Sequence, residues 1–283
     1  MSLKGKKILI VGLGLIGGSY AEALKHEGFE VGAVTRSRES IDYALQKGLI
    51  DCGTISPDAD FVGRYDILVF ALYPHVFLQW IADNQHLIKP GALLTDVTGV
   101  KGSVVGKVQE MLRPDLEFVG AHPMAGREVY GVRNADCRIF NGANFIVTPT
   151  PSNSEAAILE IEELGRTLGF ERISRLSPEK HDEMIGFLSQ LTHCIAVGLM
   201  TCKDVRHMSA YTGDSFRDLT RIARINDEMW SELFLLNKDE LLSQLDLFIG
   251  QMADIREAVA VGDSQRLREL MRLSTERRAL FDK

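Results

Sequence analysis

The feature that most constrains the fold is the apolar run at residues 8–11, which leads directly into a glycine-rich turn. The turn has the pattern Gly-x-Gly-x-x-Gly. In a dinucleotide-binding unit the first glycine allows a tight turn, the second lets the backbone approach a pyrophosphate, and the third lets the next helix pack closely on the strand. The helix N-terminus then presents free N–H groups to the anion. The residues predicted to bind the dinucleotide here are Gly12, Leu13, Gly14, Leu15, Ile16 and Gly17.

The residues after the turn support this interpretation, because glycine-rich turns also close ordinary strand-to-helix connections. A helical pattern runs to a stop at Gly28, and an apolar strand is predicted at 30–34. The other predicted elements are helices at 40–48, 76–83 and 154–168 and strands at 65–72, 91–96, 118–120, 144–148 and 170–173. Such alternation is typical of an α/β fold with a doubly wound, mostly parallel sheet, in which ligands bind at the carboxyl ends of the strands.

From Ser177 onward the pattern is helical only. Ser177 is a predicted N-cap followed by Pro178 at the first helical position. We therefore predict a dinucleotide-binding Rossmann domain at 1–176 and an all-α domain at 177–283. The first long helix is apolar almost all round, which is typical of a helix buried among others or in a subunit interface. We expect a homodimer built through these helices.

Composition argues against several classes of protein. The net charge of −7 argues against nucleic acids and anionic membranes as partners. The apolar run at 8–11 with its turn is shorter than the roughly 20 residues of a membrane span. It resembles a signal peptide, but cleavage would remove the glycine turn. The four cysteines are widely spaced and indicate reduced thiols in a cytoplasmic protein. No residues have the spacing of metal ligands, so no metal site is predicted.

The long segment between the strands at 118–120 and 144–148 contains a candidate catalytic residue. It includes Gly-Ala-His-Pro-Met-Ala-Gly-Arg-Glu at 120–128, in which His122 directly follows a strand end. A residue in that place faces the crevice at the edge of the sheet. The alternative is a histidine that binds a loop carbonyl, and position alone favours neither.

Further segments give the chain a family resemblance. His-Pro-Met-Ala-Gly with Glu128, Phe-Arg-Asp-Leu-Thr-Arg-Ile-Ala at 216–223 and Met-Trp at 229–230 resemble the prephenate dehydrogenase family over nearly the whole chain. The resemblance implies oxidation of prephenate or arogenate in tyrosine biosynthesis, with oxidative decarboxylation and hydride transfer to NAD(P). It also implies that His122 is the catalytic residue. The substrate-binding residues that it implies are Arg221, His193, Thr98, Glu128, Asp218 and Trp230.

The chemistry of this reaction suits the implied roles. As hydride leaves the hydroxyl-bearing carbon, the hydroxyl proton must go to a base, and a neutral imidazole such as that of His122 serves near pH 7. Arg221 offers a planar, bidentate grip on a carboxylate. Asp218 is the expected ionic neighbour of Arg221. The alternative is a solvated face on which Arg217 and Arg221 pair with Asp214 and Asp218.

Two segments depart from the family pattern. Ser-Gln-Leu-Thr-His stands where relatives more often have Ser-His-Leu-Pro-His, so His193 matches the second histidine and Gln190 replaces the first. Many relatives have Gly-Ser in place of Thr98 and Gly99, and that serine helps to position the histidine. Thr98 could supply the hydroxyl from the neighbouring position. Trp230 either borders the pocket or belongs to the helix core.

The residues at the end of the second strand indicate which dinucleotide, NAD or NADP, the chain prefers. NAD-specific domains place an Asp or Glu there to bind the ribose hydroxyls. This chain has Thr35, followed by Arg36, Ser37 and Arg38, so a carboxylate is absent and donors for a 2′-phosphate are present. NADP is therefore favoured and NAD is the alternative, since an arginine can also stack on adenine or point to solvent.

Two other functions fit parts of the sequence. A β-hydroxyacid dehydrogenase has the same two-part outline but uses a catalytic lysine on the long helix, which here carries His193. A non-catalytic dinucleotide sensor would need the glycine turn but not His122 together with Arg221. Turnover of prephenate separates the enzyme from the sensor.

Overall fold

Six parallel strands form the main sheet of the computed structural model, which describes residues 3–282. They are β1 (Lys7–Val11), β2 (Glu30–Val34), β3 (Cys52–Thr54), β4 (Ile67–Phe70), β5 (Leu93–Asp96) and β6 (Glu117–Phe118). Their order is β3-β2-β1-β4-β5-β6, so the chain changes direction across the sheet between β1 and β4. That switch point is where dinucleotides bind in this topology. The predicted doubly wound α/β fold is confirmed.

Helices cover both faces of this sheet. They are α1 (Leu15–His26), α2 (Arg38–Gln46), α3 (Ala59–Val62), α4 (Pro74–Asn84) and α5 (Gly102–Met111). Successive residues of β1 enter opposite cores, because side chains alternate along a strand. Ile8 and Ile10 join the cluster that contains Leu24 of α1, and Leu9 joins the cluster that contains Phe77 of α4. A strand buried on both faces explains the uninterrupted apolar run.

A smaller sheet follows, and it places the candidate histidine. It contains β7 (Gly120–Pro123), β8 (Asn144–Thr148) and β9 (Arg172–Arg175), with α6 (Glu155–Thr167) between the last two. β7 is antiparallel to β8, and β9 is parallel to it. The backbone N–H of Ala121 in β7 donates to the carboxylate of Asp96 at the end of β5, at 3.1 Å. His122 is thereby fixed beside the carboxyl end of the main sheet.

The predicted long helix from Ser177 is interrupted. Ser177 caps it by accepting a hydrogen bond from the N–H of Lys180. The helix consists of α7 (Pro178–Ile185), a π-helical segment (Gly186–Leu191) and α8 (Thr192–Thr201). π-Helical turns are rare and are frequent at functional sites. By length and composition alone Pro178–Thr201 could cross a membrane, but one such helix is weak evidence, because core helices pass the same test.

Two shorter helices, α9 (Asp214–Thr220) and α10 (Asp227–Leu236), complete the first of two compact units, which ends at Asn237. Leu233 of α10 lies in the same buried cluster as Phe118 of β6. The first helices after Ser177 therefore pack in one unit with the sheet, and the domain boundary at residue 176 stays a prediction.

The second compact unit starts at Lys238 and contains α11 (Lys238–Ala260) and α12 (Ser264–Arg278). A turn joins them at Gly262, where φ is +72°. Asp263 caps α12 by accepting from the N–H of Arg266, whose guanidinium lies 2.6 Å from Asp254 of α11. These contacts define the hairpin of the two helices.

Candidate active site

The three glycines of the first turn are required for different reasons. Gly12 has φ of +101°, and a Cβ added there would lie 2.3 Å from the carbonyl oxygen of Ala71. A Cβ on Gly17 would lie 1.9 Å from the carbonyl oxygen of Gly12. Gly14, the N-cap of α1, has φ of −100° and nothing within 4 Å of such a Cβ. Packing therefore demands glycine at 12 and 17, whereas Gly14 faces open space at the helix N-terminus.

A cavity of about 540 Å³ joins the glycine turn to the candidate histidine. This volume is typical of small-molecule sites. Its lining includes Gly14, Leu15, His122, Glu128, His193 and Trp230. Residues predicted for the dinucleotide and for the substrate therefore share one cavity.

His122 begins a row of three hydrogen-bonded side chains. Its Nδ1 lies 2.9 Å from Nε2 of His181, whose Nδ1 lies 2.7 Å from Oδ1 of Asp182. A carboxylate can only accept, so His181 donates from Nδ1 and accepts at Nε2 from the Nδ1–H of His122. This arrangement leaves the lone pair on Nε2 of His122 free to take a proton.

The start of α5 holds the far end of this row. Asp182 accepts hydrogen bonds from the backbone N–H groups of Lys101 at 2.8 Å and Gly102 at 2.7 Å. Both donors lie at the helix N-terminus, where a negative charge is stabilised. Burial lowers the pKa of His122 well below its usual value, and His181 and Lys101 act in the same direction. The imidazole of His122 is therefore neutral near pH 7.

A second buried group lies beside the row. Nζ of Lys101 is 2.6 Å from Asp96, and both side chains are fully buried. The Thr98 hydroxyl bonds to the Asp96 carboxylate and lies 2.9 Å from the Val100 carbonyl oxygen. The structure thus engages the Thr98 hydroxyl with Asp96, whereas the contact of His122 is with His181.

Arg221 has a different partner from the one expected. Its Nη1 lies 2.5 Å from Oε1 of Glu128, while Arg217 pairs with Asp214 at 3.0 Å. The expectation that Asp218 is the ionic neighbour of Arg221 is therefore wrong. The physical reason is that α9 ends at Thr220 and Arg221 lies in a 3₁₀ turn, so helical spacing does not carry Asp218 to it. The Arg221 side chain is 65% exposed and is not among the residues that line the cavity, although its partner Glu128 is.

His193 and Trp230 form a stacked pair in the cavity wall, with ring centroids 3.7 Å apart. Nδ1 of His193 lies 2.8 Å from the carbonyl oxygen of Ser189 and must donate to it, so Nε2 is left for a ligand. Burial lowers the pKa of His193. Trp230 is therefore both a packing residue and part of the pocket border.

Gln190, which replaces a family histidine, is buried in a hydrogen-bonded group. Its Nε2 donates to the carbonyl oxygen of Leu233 at 3.0 Å, and its Oε1 accepts from Asn237 at 2.8 Å. Asn237 also donates to the carbonyl oxygen of Asp182. Gln190 thus ties the π-helical segment to the end of α10.

At the end of β2, the backbone N–H of Thr35 donates to Thr54 of β3, and Ser37 caps α2 by accepting from the N–H of Ser40. Arg38 pairs with Asp42 at 3.2 Å. Within residues 3–282 no ion pair is found for Arg36, which is exposed. Thr35 therefore stands where NAD-specific domains have a carboxylate, and the unpaired guanidinium of Arg36 follows it.

One group of metal-ligand types does come together, away from the cavity lining. Glu22, Asp136 and Cys137 have ligand atoms within 4.8 Å of one another. Their atoms are already engaged, because Glu22 accepts from the N–H of Cys137, and Arg138 beside Asp136 lowers the pKa of that carboxyl to about 2. The absence of a metal site stays a prediction.

Two family models match this chain. The nucleotide-binding domain of prephenate dehydrogenase matches residues 20–171, and the dimerization domain of prephenate dehydrogenase matches residues 177–273. The chain belongs to the prephenate dehydrogenase family. Prephenate dehydrogenase of Bacillus subtilis is 31% identical over 92% of this chain and 72% of its own length. Cyclohexadienyl dehydrogenase of Zymomonas mobilis is 30% identical over 96% of this chain and 95% of its own length.

Solved structures agree. A prephenate dehydrogenase from A. aeolicus, crystallised with hydroxyphenyl propionate and NAD+, has a TM-score of 0.89 and 29% identity, with 100% of both chains covered. A 3-hydroxyisobutyrate dehydrogenase from Salmonella typhimurium shares only the fold, with a TM-score of 0.57 and 16% identity. The prephenate dehydrogenase function is therefore confirmed over the β-hydroxyacid dehydrogenase alternative. The chain is a dehydrogenase that uses a nicotinamide dinucleotide for oxidative decarboxylation in tyrosine biosynthesis.

Proposed function

We propose that His122 is the general base for prephenate or arogenate oxidation in this chain. The observation that carries the proposal is the free Nε2 of His122 in a cavity shared with the glycine turn. The ring hydroxyl gives its proton to Nε2 while its carbon loses hydride. Bound nicotinamide supplies the hydride acceptor. Carbon dioxide then leaves and the ring becomes aromatic, which makes the reaction effectively irreversible.

The groups at the cavity rim bind the substrate's anionic end. Arg221 takes a substrate carboxylate, and the ion pair with Glu128 opens or is shared as the substrate enters. Nε2 of His193 contacts the substrate side chain, and Trp230 holds the imidazole in place by stacking. Thr98 does not contact the substrate directly; its hydroxyl donates a hydrogen bond to Asp96 and so helps to hold that carboxylate in place. In the described part of the chain no ion pair is found for Asp218, and Glu128 pairs with Arg221 in its place.

For the cofactor we propose NADP over NAD. The support is the free guanidinium of Arg36 beside Thr35 and Ser37, at a strand end without a carboxylate. A guanidinium forms bidentate hydrogen bonds with a phosphate, and no carboxylate at this strand end repels the 2′-phosphate. The A. aeolicus relative was crystallised with NAD+, so the two cofactors must be compared directly.

The test is an assay of two substrates against two cofactors, repeated in Arg36→Ala. The matched control is Arg38→Ala, because Arg38 is already paired with Asp42. We expect higher kcat/KM with NADP in the native enzyme, and a loss of about 10-fold or more for NADP alone in Arg36→Ala. A native preference for NAD, or equal losses for both cofactors, contradicts the proposal.

We also propose that the enzyme is a cytoplasmic homodimer assembled through its helices. In the described chain the long helix leaves large apolar side chains exposed, including Met184, Phe187 and Leu188. A dimerization-domain model covers this region. The cysteines are all free thiols, in keeping with a reducing compartment. Light scattering at micromolar concentration is expected to give twice the chain mass, and a monomer would contradict the proposal.

A further inference from the structure

The row His122–His181–Asp182 has the geometry of a relay that fixes a catalytic base. Every polar atom in it has a defined partner except Nε2 of His122, and His122 is one of the residues that line the cavity. His181 is fully buried and Asp182 nearly so. Two backbone N–H groups at the start of α5 hold Asp182 from the other side. The far end of the row is therefore anchored to a rigid element.

We infer that His181 and Asp182 are the positioning residues of this enzyme, which fix the tautomer and orientation of His122 and stabilise it once it is protonated. The inference rests on the proposed role of His122. When Nε2 takes the hydroxyl proton, Nδ1–H of the resulting imidazolium donates to His181, which is polarised by the carboxylate of Asp182. No bond is made or broken at His181 or Asp182, so both act through His122.

Among the residues that the structure describes, no side chain other than His181 is placed to orient His122. Gly99, where many relatives have serine, carries no hydroxyl, although its added Cβ would lie 3.9 Å from Cε1 of His122. The Thr98 hydroxyl is committed to Asp96. Among residues 3–282 the only polar side-chain contact found for His122 is with His181. The orientation of the base therefore depends on this one hydrogen bond.

Asp182→Asn tests the negative charge at the end of the row. Oδ1 of Asp182 accepts from His181 and from the N–H of Lys101, so the amide oxygen of asparagine keeps that place and the amide nitrogen turns toward the N–H of Gly102. The row then loses its negative charge, and protonated His122 is less stabilised. We expect kcat to fall by about 10-fold or more with KM unchanged. The acid limb of the pH profile should also move to lower pH, because a negative charge near the imidazolium is lost.

Other charged and titratable groups near the row also influence the pKa of His122 and therefore the acid limb of the pH profile. His122 faces His181 of α7 and Lys101 before α5. His181 faces Asp182, Lys101 and Asp96 of β5. Asp182→Asn changes only one of these charges, so a shifted acid limb reports the relay. A lower kcat with an unmoved acid limb would indicate a structural role and overturn the inference.

His181 gives a second test that does not depend on the α5 anchor. Phenylalanine removes the acceptor for Nδ1–H of His122, whereas glutamine restores an acceptor oxygen. We expect kcat of His181→Phe to be about 100-fold or more below that of the native enzyme. We expect kcat of His181→Gln to be about 10-fold higher than that of His181→Phe, with the same KM. Thermal unfolding and cofactor titration confirm that each variant is folded. Equal kcat for the two variants, or native kcat in both, overturns the inference.

His122→Asn separates the two levels of the proposal. If His122→Asn keeps native turnover, the base itself is wrongly assigned and the relay falls with it. If His122→Asn is inactive while Asp182→Asn and His181→Phe remain near native kcat, only the relay is refuted.

Discussion

Replacing Gly14 with alanine should separate dinucleotide binding from folding. The backbone φ of −100° suits alanine, and an added Cβ meets nothing within 4 Å. Alanine is a poorer N-cap than glycine, but it also lowers the conformational entropy of the unfolded chain. These two effects nearly cancel, so the free energy of unfolding should change by no more than about 1 kcal/mol. That is about 2 to 4 °C in Tm for a chain of this size.

The same Cβ stands where a pyrophosphate would approach the N-terminus of α1. Losing one or two hydrogen bonds to a charged phosphate, at about 1.5 to 3 kcal/mol each, weakens binding by about 10-fold to more than 100-fold. The assay is fluorescence titration of reduced dinucleotide, with thermal unfolding of the free protein measured in parallel. Native affinity in a folded Gly14→Ala variant would refute the assignment of this turn.

Gly17→Ala is the matched control for that experiment. Its Cβ would lie 1.9 Å from the carbonyl oxygen of Gly12, so backbone must move. We expect it to lose stability by several kcal/mol, more than the about 1 to 3 kcal/mol of ordinary overpacking. If Gly14→Ala were as unstable as Gly17→Ala, the two glycines would share a packing role and the reasoning would fail.

Two further predictions concern substrate and pH. Arg221→Ala should raise KM about 10-fold with little change in kcat, a modest loss because the side chain is largely exposed, whereas Arg217→Ala leaves KM unchanged. An unchanged KM in Arg221→Ala would move Arg221 out of the site. Burial lowers the pKa of His122, His181 and His193. The unfolded chain therefore binds more protons below about pH 6.5, and Tm should fall as pH drops from there; a constant Tm down to about pH 5.5 would contradict this.

The first third of the fold could be predicted because its signals are local. β2 begins and ends where the sequence places it, and Gly28 ends the segment after α1 with φ of +80°. β3 was missed, since three residues carry no usable periodicity. The π-helical segment was also missed, because the side-chain pattern of Gly186–Leu191 does not report a locally widened backbone.

The site was predictable only in part. His122 and Arg221 lie in motifs, but the partners of both come from distant parts of the chain. His181 is 59 residues from His122, and Glu128 is 93 residues from Arg221. The available signal was a His-Asp pair in the first turns of a well-capped helix, directly before its long apolar stretch. Asp218 was wrongly placed beside Arg221 because helical spacing was extended one residue beyond the end of α9.

Turnover of prephenate by His122→Asn, at saturating cofactor, tests the central claim most directly. Asparagine keeps a polar side chain but offers no basic nitrogen to the ring hydroxyl. We expect native cofactor affinity and a turnover number at least about 100-fold below that of the native enzyme, the usual scale for loss of a general base. A folded His122→Asn variant that binds cofactor and turns over prephenate at the native rate would contradict the account.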